Sequence, residues 1–101
     1  MNILLVCVAG MSTSLLVKKM EGEAEKQKLD VKITAKPIDE LEKVIDDFDV
    51  ILLGPQIKYK ENYVKGIVEN KGKVYAVIPS MMYGMIDGKG TLDLALKIAK
   101  K

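Results

Sequence analysis

At 101 residues, with 49% apolar and 30% charged side chains, the chain has the composition of one folded domain rather than a disordered or fibrous protein. A net charge of +2, with lysines scattered among glutamates, provides no basic face, so no nucleic-acid partner is expected. A single cysteine and the absence of histidine exclude an internal disulfide, a Cys–His dyad, a Ser–His–Asp triad and most zinc sites; no cofactor or metal is expected, and any histidine in the chemistry must belong to a partner.

Asn2–Cys7 is a continuous apolar run of the kind buried on both faces in a parallel sheet. Met1–Gly10 lacks a basic leader, and its apolar part falls short of the roughly 20 residues that span a bilayer. The expectation is a cytoplasmic protein that is not membrane-inserted. A helix is expected from about Ser12 to Lys28, with Leu15, Leu16, Met20 and Ala24 facing inward. Asp30–Ala35 alternates and suits an edge strand ended by Pro37. Asp39 with Glu42 then has the pattern of a capping box opening a second helix through Leu41, Val44, Ile45 and Phe48.

The third strand, Val50–Leu53, is wholly apolar and therefore central, and it breaks at Gly54-Pro55. Tyr59, Tyr63, Val64, Ile67 and Val68 supply the inner face of a third helix, closed by Asn70–Gly72. Lys73–Ile78 forms the fourth strand, Ser80–Gly88 a loop, and Thr91 caps a last helix through Ala99. Strands alternating with helices predict one α/β domain over residues 1–101: a three-layer α/β/α sandwich around a four-stranded parallel sheet. With an edge-like second strand the order is 2-1-3-4, the flavodoxin-like winding. Ligands of such sheets sit at the carboxyl ends of the strands where the order reverses. Here that crevice is lined by the loop after Cys7, by Gly54-Pro55-Gln56 and by the loop carrying Tyr83.

Cys7-Val8-Ala9-Gly10-Met11-Ser12-Thr13-Ser14 joins the first strand to the first helix. Amides at a helix N-terminus and around a tight turn favour an anion, and Gly10 leaves room for one to approach. Ser12, Thr13 and Ser14 add hydroxyl donors, one of which caps the helix. A thiol at such a rim is favoured as thiolate. Residues Val8 to Ser14 are thus the expected phosphate cradle, and Cys7 the nucleophile within it. Low-molecular-weight phosphotyrosine phosphatases place a Cys-x5-Arg loop on a similar strand–loop–helix frame. Thr13 stands where that arginine would be, and no cation lies between Cys7 and Lys18. Without the bidentate clamp the loop can hold a phosphocysteine but is poorly equipped to hydrolyse it. This favours a carrier over a phosphatase.

Val6-Cys7 with Ala9-Gly10-Met11-Ser12-Thr13-Ser14-Leu15-Leu16 resembles the phosphorylation loop of the IIB components of sugar phosphotransferase systems, in the lactose/cellobiose (chitobiose) family. Leu52-Leu53-Gly54-Pro55-Gln56-Ile57 and Tyr83-Gly84 with Asp87-Gly88 resemble the same family in the same order. Val8 stands where the family often has alanine or a small polar residue. The resemblance implies that Cys7 accepts a phosphoryl group from a phosphohistidine on the IIA component and passes it to a sugar of the cellobiose, chitobiose or lactose class held by the membrane component IIC. Gln56 and Tyr83 are candidate contacts for phosphate or partner. Two other readings stand beside it. A low-molecular-weight phosphatase or arsenate reductase would need the missing arginine, and a reductase usually a second cysteine. A non-catalytic phosphate-binding module would keep its ligand after Cys7→Ala.

Overall fold

The computed structural model describes residues 1–7 and 13–100. In chain order its regular elements are β1 (Asn2–Cys7), α1 (Ser14–Lys26), β2 (Lys32–Pro37), α2 (Leu41–Val44), β3 (Val50–Leu53), α3 (Glu61–Asn70), β4 (Val74–Val77), α4 (Ser80–Gly84) and α5 (Gly88–Ala99). Turns of 3-10 helix flank α2, at Ile38–Glu40 and Ile45–Asp47, and another, Pro55–Lys60, precedes α3. The four strands form one parallel sheet in the order β2-β1-β3-β4.

The continuous apolar runs follow from this order. β1 and β3 are the inner strands, and both of their faces are covered. Ile3, Leu5, Val50 and Leu52 point to one side, into a core with Leu16 and Met20 of α1 and Leu92 and Ala95 of α5. Leu4, Val6, Ile51 and Leu53 point to the other, into a core with Leu41, Ile45, Val64 and Val68. The edge strand β2 carries Lys32, Lys36 and Pro37, residue types that discourage pairing with another chain. It begins at Lys32 and runs two residues beyond the expected end at Ala35, because Lys36 and Pro37 still align with Val6 and Cys7.

Several expected details differ. α1 starts at Ser14, and Leu15 is 48% exposed; Leu16, Met20 and Ala24 carry the buried stripe. No capping box forms at Asp39: neither the 3-10 turn nor α2 has a side-chain cap, and Glu42 instead accepts a 2.8 Å hydrogen bond from the Tyr63 hydroxyl. Tyr59 and Tyr63 lie largely in solvent rather than on an inner face. Val64 and Val68 form the buried stripe of α3, Tyr63 lies one residue round from it, and Tyr59 precedes the helix, in a turn where Ile57 takes the buried place. The Tyr63 ring lies under the Lys60 ammonium, and the hydrogen bond to Glu42 holds its phenol above the ordinary tyrosine range. Burial, followed by a bond to Glu61, does the same for Tyr75.

The segment Ser80–Gly88 is not a plain loop. It folds into α4, whose Met82 and Tyr83, with the following Ile86, pack on the α1/α5 core. The cap of α5 is Asp87 rather than Thr91: its carboxylate accepts from the Gly90 N–H at 2.9 Å, while the Thr91 hydroxyl donates to the Asp87 carbonyl at 2.8 Å. That use of Asp87 leaves its carboxylate facing a backbone amide of its own helix.

Three helices end in the same way. The residue after the C-cap takes a left-handed backbone, and the next N–H returns to a carbonyl of the last turn. These residues are Lys28, Gly72 and Ile86, and the returning bonds are Leu29 to Ala24, Lys73 to Val68 and Asp87 to Met82. Gly72 adopts the conformation freely, whereas Ile86 is β-branched and strained there.

α5 approaches α1 through Gly88. A Cβ at that position would lie 2.6 Å from the Lys19 carbonyl carbon and 2.8 Å from its oxygen, both backbone atoms. Gly88→Ala is therefore expected to destabilise the protein by about 1–3 kcal/mol through overpacking, read as a lower midpoint in urea unfolding.

Candidate active site

β1 delivers Cys7 to the carboxyl edge of the sheet, beside the point where the strand order reverses. Alternation along the strand puts Cys7 on the same side as Ile3 and Leu5, the side covered by α1. The side chain is only 3% exposed, so the thiol lies inside the carboxyl edge rather than out on the rim. It is the chain's sole cysteine and is unpaired.

Among the described residues, two groups reach the sulfur. Thr13 Oγ1 lies 3.4 Å from Sγ, and the Lys36 carbonyl oxygen lies 3.9 Å away in the direction of the thiol donor. Thr13 is completely buried. It occupies the N-cap position of α1, yet its side chain makes no capping bond to that helix. Of the three hydroxyls expected to cap, Thr13 is thus turned to the sulfur, while Ser14 is exposed as the first residue of α1. Val8, Ala9, Gly10, Met11 and Ser12, named above as the phosphate cradle, lie outside the described residues.

Nothing in the sequence pointed to the Lys36 carbonyl. It comes from β2 through the register that sets Val6 against Lys36 and Cys7 against Pro37.

The turns after β3 and β4 each bond back to the end of the neighbouring strand. Gly54 N–H donates to the Val6 carbonyl at 3.0 Å, and Ile78 N–H donates to the Leu53 carbonyl at 2.8 Å. A Cβ on Gly54 would sit 3.0 Å from Gln56 Oε1, the end of an exposed flexible side chain, and 3.4 Å from the Val6 oxygen. Gln56 is exposed, with its side-chain oxygen folded over Gly54 at the end of β1. Tyr83, expected on an exposed loop, is half-buried on α4 and packs on the core. The exposed apolar groups of that segment are Met81 and Met85, at 76% and 74%.

The chemistry available here is narrow. The chain contains no arginine, so no part of the fold can bring a guanidinium to a phosphoryl group at Cys7. Among the described residues there is no cluster of metal-ligating side chains, and no helix is long and apolar enough to cross a membrane. What the geometry offers is a buried free thiol with a hydroxyl beside it.

Comparison with known proteins converges on one family. The family described as the PTS system lactose/cellobiose-specific IIB subunit matches residues 2–94. The oligo-beta-mannoside-specific EIIB component of Bacillus subtilis is 35% identical over 97 residues, covering 96% of this chain and 94% of that protein. The galactose-specific EIIB component of Lactococcus lactis subsp. cremoris is 38% identical over 98 residues, covering 92% of this chain and 91% of that protein. The solution structure of the cellobiose-specific phosphotransferase IIB component from Borrelia burgdorferi superposes with a TM-score of 0.85 at 39% identity, covering 99% of this chain and 92% of that one. A lactose-specific IIB domain from Streptococcus pneumoniae, at 17% identity, shares the fold with a TM-score of 0.86 over 97% of this chain and 96% of that one. The chain therefore belongs to the lactose/cellobiose-specific IIB subunits, components of the sugar phosphotransferase system.

Proposed function

We propose that this chain is a phosphocarrier whose Cys7 holds the phosphoryl group between two proteins. The observation that carries the reading is the buried Cys7 sulfur at the carboxyl end of β1, in a chain with no arginine. Sulfur attacks the phosphorus of a phosphohistidine on IIA in line with the departing nitrogen. The S–P bond forms, the N–P bond breaks, and the imidazole leaves with its electron pair. A hydroxyl of a sugar held by IIC then takes the phosphoryl group from sulfur. The sugar belongs to the cellobiose, chitobiose or lactose class.

In this reading the amides of residues 8–14 and the hydroxyls of Ser12 and Ser14 receive the phosphoryl oxygens. Gln56, in the turn after β3 and with its side-chain oxygen near Gly54, contacts phosphate or IIA in this reading. Tyr83 acts in partner contact through α4, whose Met81 and Met85 offer adaptable apolar surface. Burial of the sulfur suits a carrier, because a phosphocysteine must be kept from water until its acceptor arrives. The protein works on the cytoplasmic side of the membrane and meets it through IIC.

The test is intact-protein mass spectrometry after incubation with phosphoenolpyruvate, the general phosphotransferase proteins and a panel of IIA proteins of this family. One phosphoryl adduct, dependent on IIA, is expected, with aryl phosphate hydrolysis at background. No adduct from any IIA that is itself demonstrably phosphorylated would overturn the reading.

A further inference from the structure

We propose that the open edge of β4 is a self-association surface, on which a second copy of this chain sets its own β4 antiparallel about a two-fold axis and joins the two four-stranded sheets into one. The inference is independent of the carrier reading of Cys7, which lies two strands away on β1.

The backbone of β4 supplies the first argument. The strand ends the sheet, and no element of the chain pairs with its outer side. Its residues are each half-buried, where those of β3 are fully buried. The register sets Val77 against Leu53, and the Ile78 N–H donates to the Leu53 carbonyl. A parallel ladder uses alternate residues, so Ala76 and Ile78 face β3, while Tyr75 and Val77 turn their amides and carbonyls to the open side. Unlike β2, this edge carries no lysine or proline within the strand to discourage pairing.

Those outward groups complement themselves. With Tyr75 opposite Val77 of the second copy, and the reverse, each pair exchanges both of its N–H···O bonds and no outward group is left over. Tyr75 and Val77 lie on the α3 side of the sheet, where an aromatic and a β-branched side chain make a favourable cross-strand pair. Ala76 meets its own counterpart at the axis, and its small side chain lets the strands close.

Charge selects a second copy over an extended segment of another protein. The cleft along this edge is walled by Pro55, Lys58 and Glu61. Glu61 stands beside Tyr75 and accepts its hydroxyl at 2.9 Å; among the described residues neither Glu61 nor Lys58 enters an ion pair. Lys58 follows the carboxyl end of β3, the end at which Val77 pairs with Leu53. Setting Tyr75 against Val77 therefore turns Glu61 of each copy toward Lys58 of the other, the reciprocal contact that a two-fold interface requires.

Sedimentation equilibrium on the full chain tests this, in reducing buffer so that no disulfide through Cys7 contributes. The wild-type mass is expected to rise with concentration from one copy to two. Val77→Pro removes an outward amide, a change that an edge strand tolerates, and is expected to weaken association at least about tenfold. Lys58→Glu and Glu61→Lys each set like charges across the axis and are expected to weaken it about tenfold. A 1:1 mixture of these two variants restores it, because every crossing in the mixed dimer is again between unlike charges. Wild type that remains a single copy up to about 1 mM would overturn the proposal and leave the edge to a different chain or to solvent. So would a Val77→Pro variant that keeps a cooperative urea transition and associates like wild type, which places any dimer elsewhere. If that variant fails to fold, the mixture decides: no gain over the separate charge variants rules the pairing out.

Discussion

Cys7→Ser is expected to take up no phosphoryl group from a phosphorylated IIA while unfolding cooperatively near the wild-type midpoint. The two halves of this result have separate causes. A serine hydroxyl stays protonated near neutral pH and is a weak nucleophile unless a base activates it, and the chain has no histidine to serve. The fold should persist because the exchange of sulfur for oxygen leaves a small polar group between the same partners. The Thr13 hydroxyl and the Lys36 carbonyl, now facing Cys7, can bond to a hydroxyl as they do to a thiol. The stability change is expected to stay within about 1 kcal/mol, the scale of one neutral hydrogen bond. Mass spectrometry reads the first half and urea unfolding the second. An adduct on the variant would mean that another atom accepts the phosphoryl group.

Leu52→Ala is expected to cost about 2–5 kcal/mol, the largest stability loss among the changes considered. Leu52 is fully buried in β3, paired with Leu5 on one side and Ala76 on the other. It packs in the core that includes Leu16 and Met20, on the helix that carries Thr13 at its start. An inner strand covered on both faces cannot collapse around the missing methyl groups, so a cavity term adds to the lost transfer energy. Against a total stability of about 5–15 kcal/mol for a domain of this kind, the loss is a large share. The urea midpoint should fall at unchanged m-value. A loss below about 1 kcal/mol would show that the site relaxes freely, contrary to the close packing of an inner strand.

The inner strands were legible because burial on two faces leaves a strand no polar positions, and Val50–Leu53 has the predicted bounds. The winding was legible from one contrast, the alternating β2 against the apolar β1 and β3. The end of the last helix at Ala99 was legible, and the other helix ends only where glycine marked them. Gly72 did so, but Lys28 and Ile86 adopt the same left-handed backbone with side chains that ordinarily avoid it. The turn at Ile86 joins α4 to α5, so the segment Ser80–Gly88 seemed structureless when its apolar residues were in fact serving a short helix. Tyr59 and Tyr63 are spaced as on a helix, but the buried stripe of α3 runs through Val64 and Val68 and leaves Tyr63 beside it. At the site, the place of Cys7 at the end of β1 could be read from the apolar run before it. The aim of the Thr13 hydroxyl could not, since a hydroxyl before a helix has capping as its ordinary use.

The alternation in β1 has a genetic consequence. Ile3 and Leu5 share the α1 side with Cys7, whereas Leu4 and Val6 share the other. All of them are apolar, so a frame-preserving deletion of one codon within the strand would leave a sequence that still reads as a buried strand. The sulfur, however, would change parity with respect to the rest of β1 and face α2 and α3 instead of Thr13. Loss of two codons would restore its side at the cost of a shorter strand. The length of this segment therefore matters by its even or odd count as well as by hydrophobicity, and stability alone would be a poor guide to which length variants keep the sulfur on the α1 side.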